Sequence, residues 1–243
     1  MFLPLLLEAA AFAQEPTPGF TLEEIWAHSG LIARSVIVIL IAMFLGTVVI
    51  GIDRWLAFRR SRNQSMRLRN EILPSLQAGD VRTARRIADD EQFKAGYLTA
   101  LLRPGLRELD EGSVDEFGLE NSKRSVAKAY AEEMAKLQRG MTVLATTGST
   151  APFVGLFGTT FGVINAFQGM AEAGAGLAAI SAGISEALIT TGVGIGVAVF
   201  GVWLYNYFNF RIQKVQDELN SSEADFVQWA AKLVQGQMRG AAK

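Results

Sequence analysis

The feature that most constrains this chain is a long, nearly uncharged stretch in its second half, residues 148–206. Between Glu172 and Arg211 the only charged residue is Glu186, which lies among Gly, Ala, Ile and Thr. A lone carboxyl in a segment of membrane-spanning length costs about 2.5 kcal/mol or more at the bilayer centre. Such a residue is a candidate functional site by default, and we interpret Glu186 as part of a proton path.

The distribution of charge favours a membrane protein over a globular enzyme. Half of the 243 residues are hydrophobic, the net charge is −1, and the charges cluster at 53–139 and 207–243. A near-zero net charge gives no support for nucleic-acid binding. The chain has no cysteine and a single histidine, His28, which excludes thiolate metal sites and histidine clusters. We therefore expect neither an enzyme nor a cofactor, with protons as the coupling ion.

The first thirty residues are expected to form a segment outside the membrane or at its interface. Residues 1–13 end in Ala-Phe-Ala, like a signal-peptidase site, but no basic residue precedes them and Glu8 interrupts the run. A cleaved signal and an interfacial segment both stay open. Residues 31–52 predict a first transmembrane helix, and six arginines follow at 54–69. By the positive-inside rule this end is cytoplasmic and the N-terminus is periplasmic.

Residues 53–139 predict a cytoplasmic helical loop without a separate catalytic domain. Asp80 is expected to cap one helix, and the Ser113–Glu116 capping box predicts the start of another that runs unbroken into the second span. The expected helix breaks are Pro74, Gly79, Gly96, Pro104-Gly105 and Gly112.

The remainder predicts a second span (140–170), a periplasmic turn (171–179), a third span (180–208) and a cytoplasmic helical tail (209–243). The predicted fold is an all-α integral membrane protein with three transmembrane helices and long cytoplasmic helical extensions. Small or polar residues recur along one face of the second span, where helices approach closely in lipid. These residues are Gly155, Thr159, Gly162, Ala166 and Gly169.

The third span carries a similar face that includes Glu186 and, one turn further on, Thr190. Thr191 lies about 140° around the helix from Glu186, so both threonines and the acid cannot share one narrow stripe. The alternative is that the three residues bound one cavity between several helices. Simple helix packing explains the glycines, and Thr159 either bonds its own backbone or lines a polar seam.

The stretch 148–206 resembles the proton-channel subunits ExbB and TolQ, which are distantly related to MotA. The resemblance rests on 148–159 (GSTAPFVGLFGT), on 183–188 (GISEAL), on Thr191, and on Tyr205-Asn206. The three-span layout agrees, although the first hundred residues fit by layout alone. Two departures, Thr160-Phe161 for a usual Val-Trp and Phe200-Gly201 for a usual proline, leave the acid untouched.

The resemblance implies a multi-pass subunit of the inner membrane of a Gram-negative bacterium. It implies a homo-oligomeric ring, a pentamer, around the single spans of an ExbD-like partner that supplies an essential Asp, with the proton-motive force energising a TonB-like protein. By motif match Glu186, Thr159 and Thr191 line the pore; Thr190, Gly155 and Gly162 are additional pore or packing residues. The alternatives are a TolQ-like subunit, a gliding or flagellar-type stator, and a membrane scaffold with no transport role. For Glu186 itself, the alternative is a permanently protonated side chain that bonds across helices and holds the ring together.

Overall fold

The computed structural model describes residues 30–112, 115–173 and 177–241. Every helix or turn of helix in these ranges is right-handed, and they contain no strand, which confirms the all-α class. The segment 1–29, with its signal-peptide alternative, lies outside the described residues. The elements are α1 (Leu31–Gln77), α2 (Val81–Ala88), a 3₁₀ turn (Glu91–Phe93), α3 (Tyr97–Glu111), α4 (Glu116–Leu137), α5 (Met141–Ala173) and α6 (Leu177–Ala241).

Three stretches are long and apolar enough to cross a membrane, judged by length and composition within the described ranges. They are Leu31–Gln77, Glu116–Gly169 and Gly183–Gly236. The expected extension of the first span past Asp53 is confirmed, since α1 continues to Gln77. The third span and the tail form one helix, α6. Part of the turn expected over 171–179 is helical, because α5 extends to Ala173 and α6 begins at Leu177.

Two of the expected helix breaks are wrong, because proline lies inside a helix in both places. Pro74 sits in the last turn of α1 and Pro104 in the middle of α3. A proline inside a helix costs about 3 kcal/mol. At Pro104 burial opposes that cost, since Leu101, Leu106 and Leu109 on the same helix are almost completely buried. Tertiary packing outweighs the local preference here.

The expectation of one helix running from the loop into the second span is also wrong. Residues 138–140 interrupt it between α4 and α5, and Gly140 has φ +81°. Glycine adopts this left-handed conformation without steric cost, which makes it a common end to a helix. The stop after α1 at Gly79 (φ +72°) and the boundaries at Gly96 and Gly112 occur as expected.

The helix caps follow ordinary backbone chemistry. The predicted cap at Asp80 is confirmed, since its carboxylate accepts a hydrogen bond from the Thr83 backbone N–H at 3.0 Å. Hydrogen bonding from the Thr83 side chain, followed by that from its backbone N–H, lowers the pKa of Asp80. Helix α4 is capped by Asp115, which accepts from the Gly118 N–H at 2.8 Å. The cap was predicted at Ser113, which lies outside the described residues.

The described chain divides into two compact units. One comprises 44–149 and 199–241, and its core is a continuous cluster of buried side chains from all six helices and the 3₁₀ turn. Trp229 closes part of it by donating its indole N–H to the Leu76 carbonyl at 2.6 Å. At the surface Arg85 donates to Asp110 at 2.8 Å and to Glu111 at 2.6 Å. Hydrogen bonds from Arg107 and Arg85 lower the pKa of Glu111.

The other unit comprises the described residues among 1–43 and 150–198. Its small core contains Val36, Leu40, Ala151, Val197 and Ala198. Large apolar side chains cover its outside: Phe153 is 70% exposed and Leu188 65%. A contiguous apolar surface of this kind is found where a protein meets lipid or another subunit.

Candidate functional site

Glu186 lies on α6 within the apolar unit, and one of its carboxyl oxygens lacks a hydrogen-bond partner among the described residues. The side chain is partly buried, and Oε1 is buried without a hydrogen-bond partner among the described residues. An unsatisfied buried acceptor costs about 1–3 kcal/mol, and more when charged. The next residue, Ala187, sits at the contact with α5: a Cβ added to Gly162 would be 2.9 Å from its Cβ. Glu186 therefore flanks the helix contact.

Thr191 provides a second buried oxygen without a partner. Its hydroxyl Oγ1 is buried and forms no hydrogen bond to any residue that the structure describes. Thr191 lies five positions beyond Glu186, a rise of about 7.5 Å along the helix axis. The two residues also lie about 140° apart around α6, so each unsatisfied atom marks its own place in the apolar unit that water, a proton or a partner's side chain can satisfy.

Thr190 has a different environment. It is 1% exposed, and its hydroxyl donates to the Ala187 carbonyl of its own helix at 2.7 Å. A Cβ added to Gly158 would lie 2.9 Å from the Thr190 hydroxyl and 2.9 Å from Cγ1 of Val36. Thr190 is therefore packed where α1, α5 and α6 meet, with its donor already used.

Thr159 donates to the Leu156 carbonyl at 2.7 Å, and Thr160 donates to the same carbonyl at 3.0 Å. Of the two roles left open for Thr159, the structure shows a bond to its own helix, three residues back. Its hydroxyl oxygen keeps lone pairs that can accept a further hydrogen bond. Thr159 is partly buried.

The α5–α6 contact rests on residues without large side chains. A Cβ on Gly155 would lie 2.9 Å from the Thr190 carbonyl and 3.1 Å from the Thr191 Cα. Gly155 and Gly162 thus occupy helix-packing positions. The predicted stripe is corrected in one respect: Gly169 has nothing within 4 Å of an added Cβ, whereas Gly158, which the prediction omitted, lies in the contact.

The spacing of the small residues is the sequence signal that could have identified Gly158. The α5 positions that meet α6 are Ala151, Gly155, Gly158, Gly162 and Ala166, which recur at steps of four, three, four and four. Residues at these steps lie on one helix face, so the helical spacing fits this set as well as it fits the predicted stripe. The described residues contain no group of three or more His, Cys, Asp or Glu that could hold a metal ion.

Three stretches of membrane-spanning length, one of which carries a buried carboxyl oxygen without a hydrogen-bond partner among the described residues, are typical of an α-helical membrane protein. Residues 93–221, more than half of the chain, match the MotA/TolQ/ExbB proton channel family. The chain belongs to that family, as the resemblance of 148–206 predicted.

The relatives of this chain include both TolQ and ExbB proteins. The chain is 31% identical over 192 residues to the Tol-Pal system protein TolQ of Pseudomonas aeruginosa, covering 74% of this chain and 82% of that protein. It is 33% identical over 193 residues to the biopolymer transport protein ExbB of Salmonella typhimurium, covering 77% of each. The ExbB of Xanthomonas campestris is 38% identical over 125 residues, 49% of each chain.

Proposed function

We propose that this chain is an ExbB-like subunit of a proton channel in the inner membrane of a Gram-negative bacterium. With an ExbD-like single-span partner it would convert the proton-motive force into work on a TonB-like protein and so energise outer-membrane transport. The observation that carries the proposal is the buried Oε1 of Glu186, which lacks a hydrogen-bond partner among the described residues. Membership of a proton channel family supports it.

The physical basis is the cost of burying a charge without a partner. A carboxyl in an apolar site is cheaper to bury neutral, and it needs a counter-charge or water when it ionises. Glu186 would therefore exchange its proton with a carboxyl on the partner's span. Each elementary charge that crosses 100 mV releases about 2.3 kcal/mol, so a few protons are enough to bias a rotation or a change in the partner's conformation.

The threonines would assist that exchange in different ways. Thr191, with a buried hydroxyl that bonds to no described residue, would hydrogen-bond water or the partner's Asp. Thr159 would accept a hydrogen bond while donating to its own helix. Gly155, Gly162 and Thr190 would hold α5 and α6 together rather than line the pore.

The assembly follows the same proposal. Five copies would surround the partner's spans and cover the exposed apolar side chains of this unit, such as Leu188. The arginines at 54–69 would place the loop and the C-terminal tail in the cytoplasm and the N-terminus in the periplasm. Membrane lipids would cover the outward-facing remainder.

The second candidate is a TolQ-like subunit that energises envelope constriction, with a gliding or flagellar-type stator as a further relative. The TolQ of Pseudomonas aeruginosa favours this candidate, because its identity and coverage are close to those of the Salmonella ExbB. The two proposals share one proton site and differ in the partner that receives the work.

Complementation distinguishes the two candidates. We expect the chain, expressed with its own single-span partner, to restore TonB-dependent uptake to cells that lack ExbB and not to repair the envelope defect of cells that lack TolQ. Repair of the TolQ defect alone would favour the alternative. If a membrane-inserted complex restored neither, an energising role for TonB or Tol would be contradicted.

Thr191→Val tests the proposed hydroxyl, with Thr190→Val as its matched neighbour. Removing a buried hydroxyl without a partner should leave the thermal stability of the purified protein unchanged or higher, because no hydrogen bond is lost in this chain. We expect uptake to fall about tenfold, the equivalent of one lost hydrogen bond to a charged group. Thr190→Val should keep uptake. Equal uptake in both variants would remove Thr191 from the proton path.

A further inference from the structure

A basic pocket lies where two of the long helices leave their apolar segments. It has a volume of about 220 Å³ and lies between α1 and α6, with Tyr97 of α3 on one side. Phe58 and Phe208 stack at 6.0 Å between ring centroids, which places the two helices at the same level here. The pocket is not part of the proposed proton path, since every residue that lines it lies outside the unit that contains Glu186.

Positive charge dominates this pocket. Arg59 and Arg62 contribute from α1, and Arg211 and Lys214 from α6. None of the four forms an ion pair with a carboxylate of a described residue, although ion pairs are common elsewhere on this unit. Four cations around one small volume repel one another, and an anion between them relieves that repulsion.

Three of these cations lie over aromatic rings. The guanidinium of Arg59 lies 5.4 Å from the Trp55 ring centroid, and that of Arg211 lies 5.3 Å from the ring of Tyr207. Lys214 Nζ lies 4.6 Å from the ring of Phe210. Contacts with a ring face position a cation without supplying the hydrogen-bond acceptor that its N–H groups need. Arg211 Nη2 also donates to the Tyr207 hydroxyl at 3.2 Å. Its remaining N–H groups, with those of Arg59 and Lys214, are oriented to donate to an anion.

The one acid in the pocket is already engaged. Oε2 of Glu218 accepts a short hydrogen bond from the Tyr97 hydroxyl. Burial, followed by the Glu218 contact, raises the pKa of Tyr97 well above its ordinary value, so the phenol remains a donor at neutral pH. One carboxylate against four cations leaves the pocket strongly positive.

The position along both helices indicates the kind of anion. Trp55 is three residues past the end of the predicted first span, and Tyr207 is at the end of the third. Trp and Tyr favour the headgroup level of a bilayer, and basic pockets between transmembrane helices bind anionic lipid headgroups. Trp55 and Tyr207 are both substantially exposed, at 47% and 43%, and so can contact the glycerol and upper acyl region of a lipid.

We propose that this pocket binds the phosphate headgroup of an anionic phospholipid in the adjoining leaflet. The phosphate oxygens accept from the Arg62 and Arg211 guanidinium groups and from Lys214, and the aromatic rim packs on the lipid backbone. The proposal depends on membrane insertion and is independent of proton passage through Glu186.

The test is lipid binding by the assembled full-length complex, stripped of lipid in detergent and titrated with dioleoyl phosphatidylglycerol in native mass spectrometry. The pocket variant is Arg59→Gln/Arg62→Gln. Its matched control, Arg60→Gln/Arg67→Gln, removes the same number of charges from exposed positions of the same helix that do not line the pocket. We expect the pocket variant to weaken binding at least about tenfold and the control to bind like the parent.

A second variant on the other helix, Arg211→Gln/Lys214→Gln, should show the same loss, which separates lipid binding from any folding defect confined to α1. Dioleoyl phosphatidylcholine should bind more weakly than the anionic lipid. Equal losses in pocket and control variants would mean diffuse surface attraction and would overturn the proposal. Displacement of the lipid by millimolar glycerol 3-phosphate or inorganic phosphate would indicate a soluble ligand instead. If the assembled complex binds no anionic lipid, the proposal is overturned.

Discussion

Glu186→Gln is expected to abolish energised uptake while leaving the complex assembled. Glutamine has nearly the same size and can form neutral hydrogen bonds, but it cannot release a proton. The side chain therefore keeps nearly the same shape around the buried Oε1 position, which lacks a described partner, and loses only the ability to release a proton. Because Glu186 is the only charged residue between Glu172 and Arg211, no neighbour on the same helix can replace it, and we expect uptake to fall to the background of cells without the protein.

The measurement pairs uptake with recovery of the single-span partner on the tagged chain. Glu186→Asp is the matched control, since it retains a carboxyl displaced by one methylene and should keep measurable uptake. A Gln variant that assembles with its partner and transports at the normal level would show that Glu186 is outside the proton path. Its role would then be that of a protonated side chain bonded across helices. Failure of assembly in the Gln variant but not in the Asp variant would assign the same structural role.

Much of this fold can be predicted from residue patterns. The three apolar helices, the continuation of α1 beyond Asp53 and the Asp80 cap follow from length, hydropathy and capping chemistry. The errors have local physical causes. Pro104 is tolerated inside α3 because surrounding packing opposes its cost, and Gly140, with a positive φ, lies between the end of α4 and the start of α5. Neither the packing partners nor the sign of φ can be deduced from a single chain.

The candidate site, too, can be predicted from the sequence only in part. Glu186 is evident from charge alone, since it interrupts a long neutral stretch. The distinction between Thr190 and Thr191 is not, because adjacent threonines have the same composition and differ only in what their hydroxyls meet. Thr190 bonds to Ala187, whereas Thr191 has a buried hydroxyl without a described partner. The contact register of α5 decides this, and it depends on Gly158, which the predicted stripe omitted.

Gly194→Ala is expected to destabilise the apolar unit, whereas Gly196→Ala should stabilise α6. A Cβ at Gly194 would lie 2.7 Å from the Ala151 carbonyl oxygen and 3.0 Å from the Gly155 Cα. Both are backbone atoms of α5, so no side-chain rotation can relieve the clash and the helices must move apart. Overpacking of this kind costs about 1–3 kcal/mol. In lipid, close approach of small residues is the main source of helix association, so the loss is not offset elsewhere.

Gly196 is the matched control because it lies two residues further along the same helix with nothing within 4 Å of an added Cβ. Alanine there removes the entropic cost of a helical glycine, a gain of about 0.5–1 kcal/mol. The two variants differ by one methyl group at each site and should shift the thermal unfolding midpoint in opposite directions. The expected separation is at least about 3 °C, from about 2–4 °C per kcal/mol for a chain of this size. If Gly194→Ala unfolds at or above the midpoint of Gly196→Ala, then α5 and α6 do not meet backbone to backbone at this glycine. The placement of Thr191 beside Gly155 would then fail with it, because both depend on the same helix register.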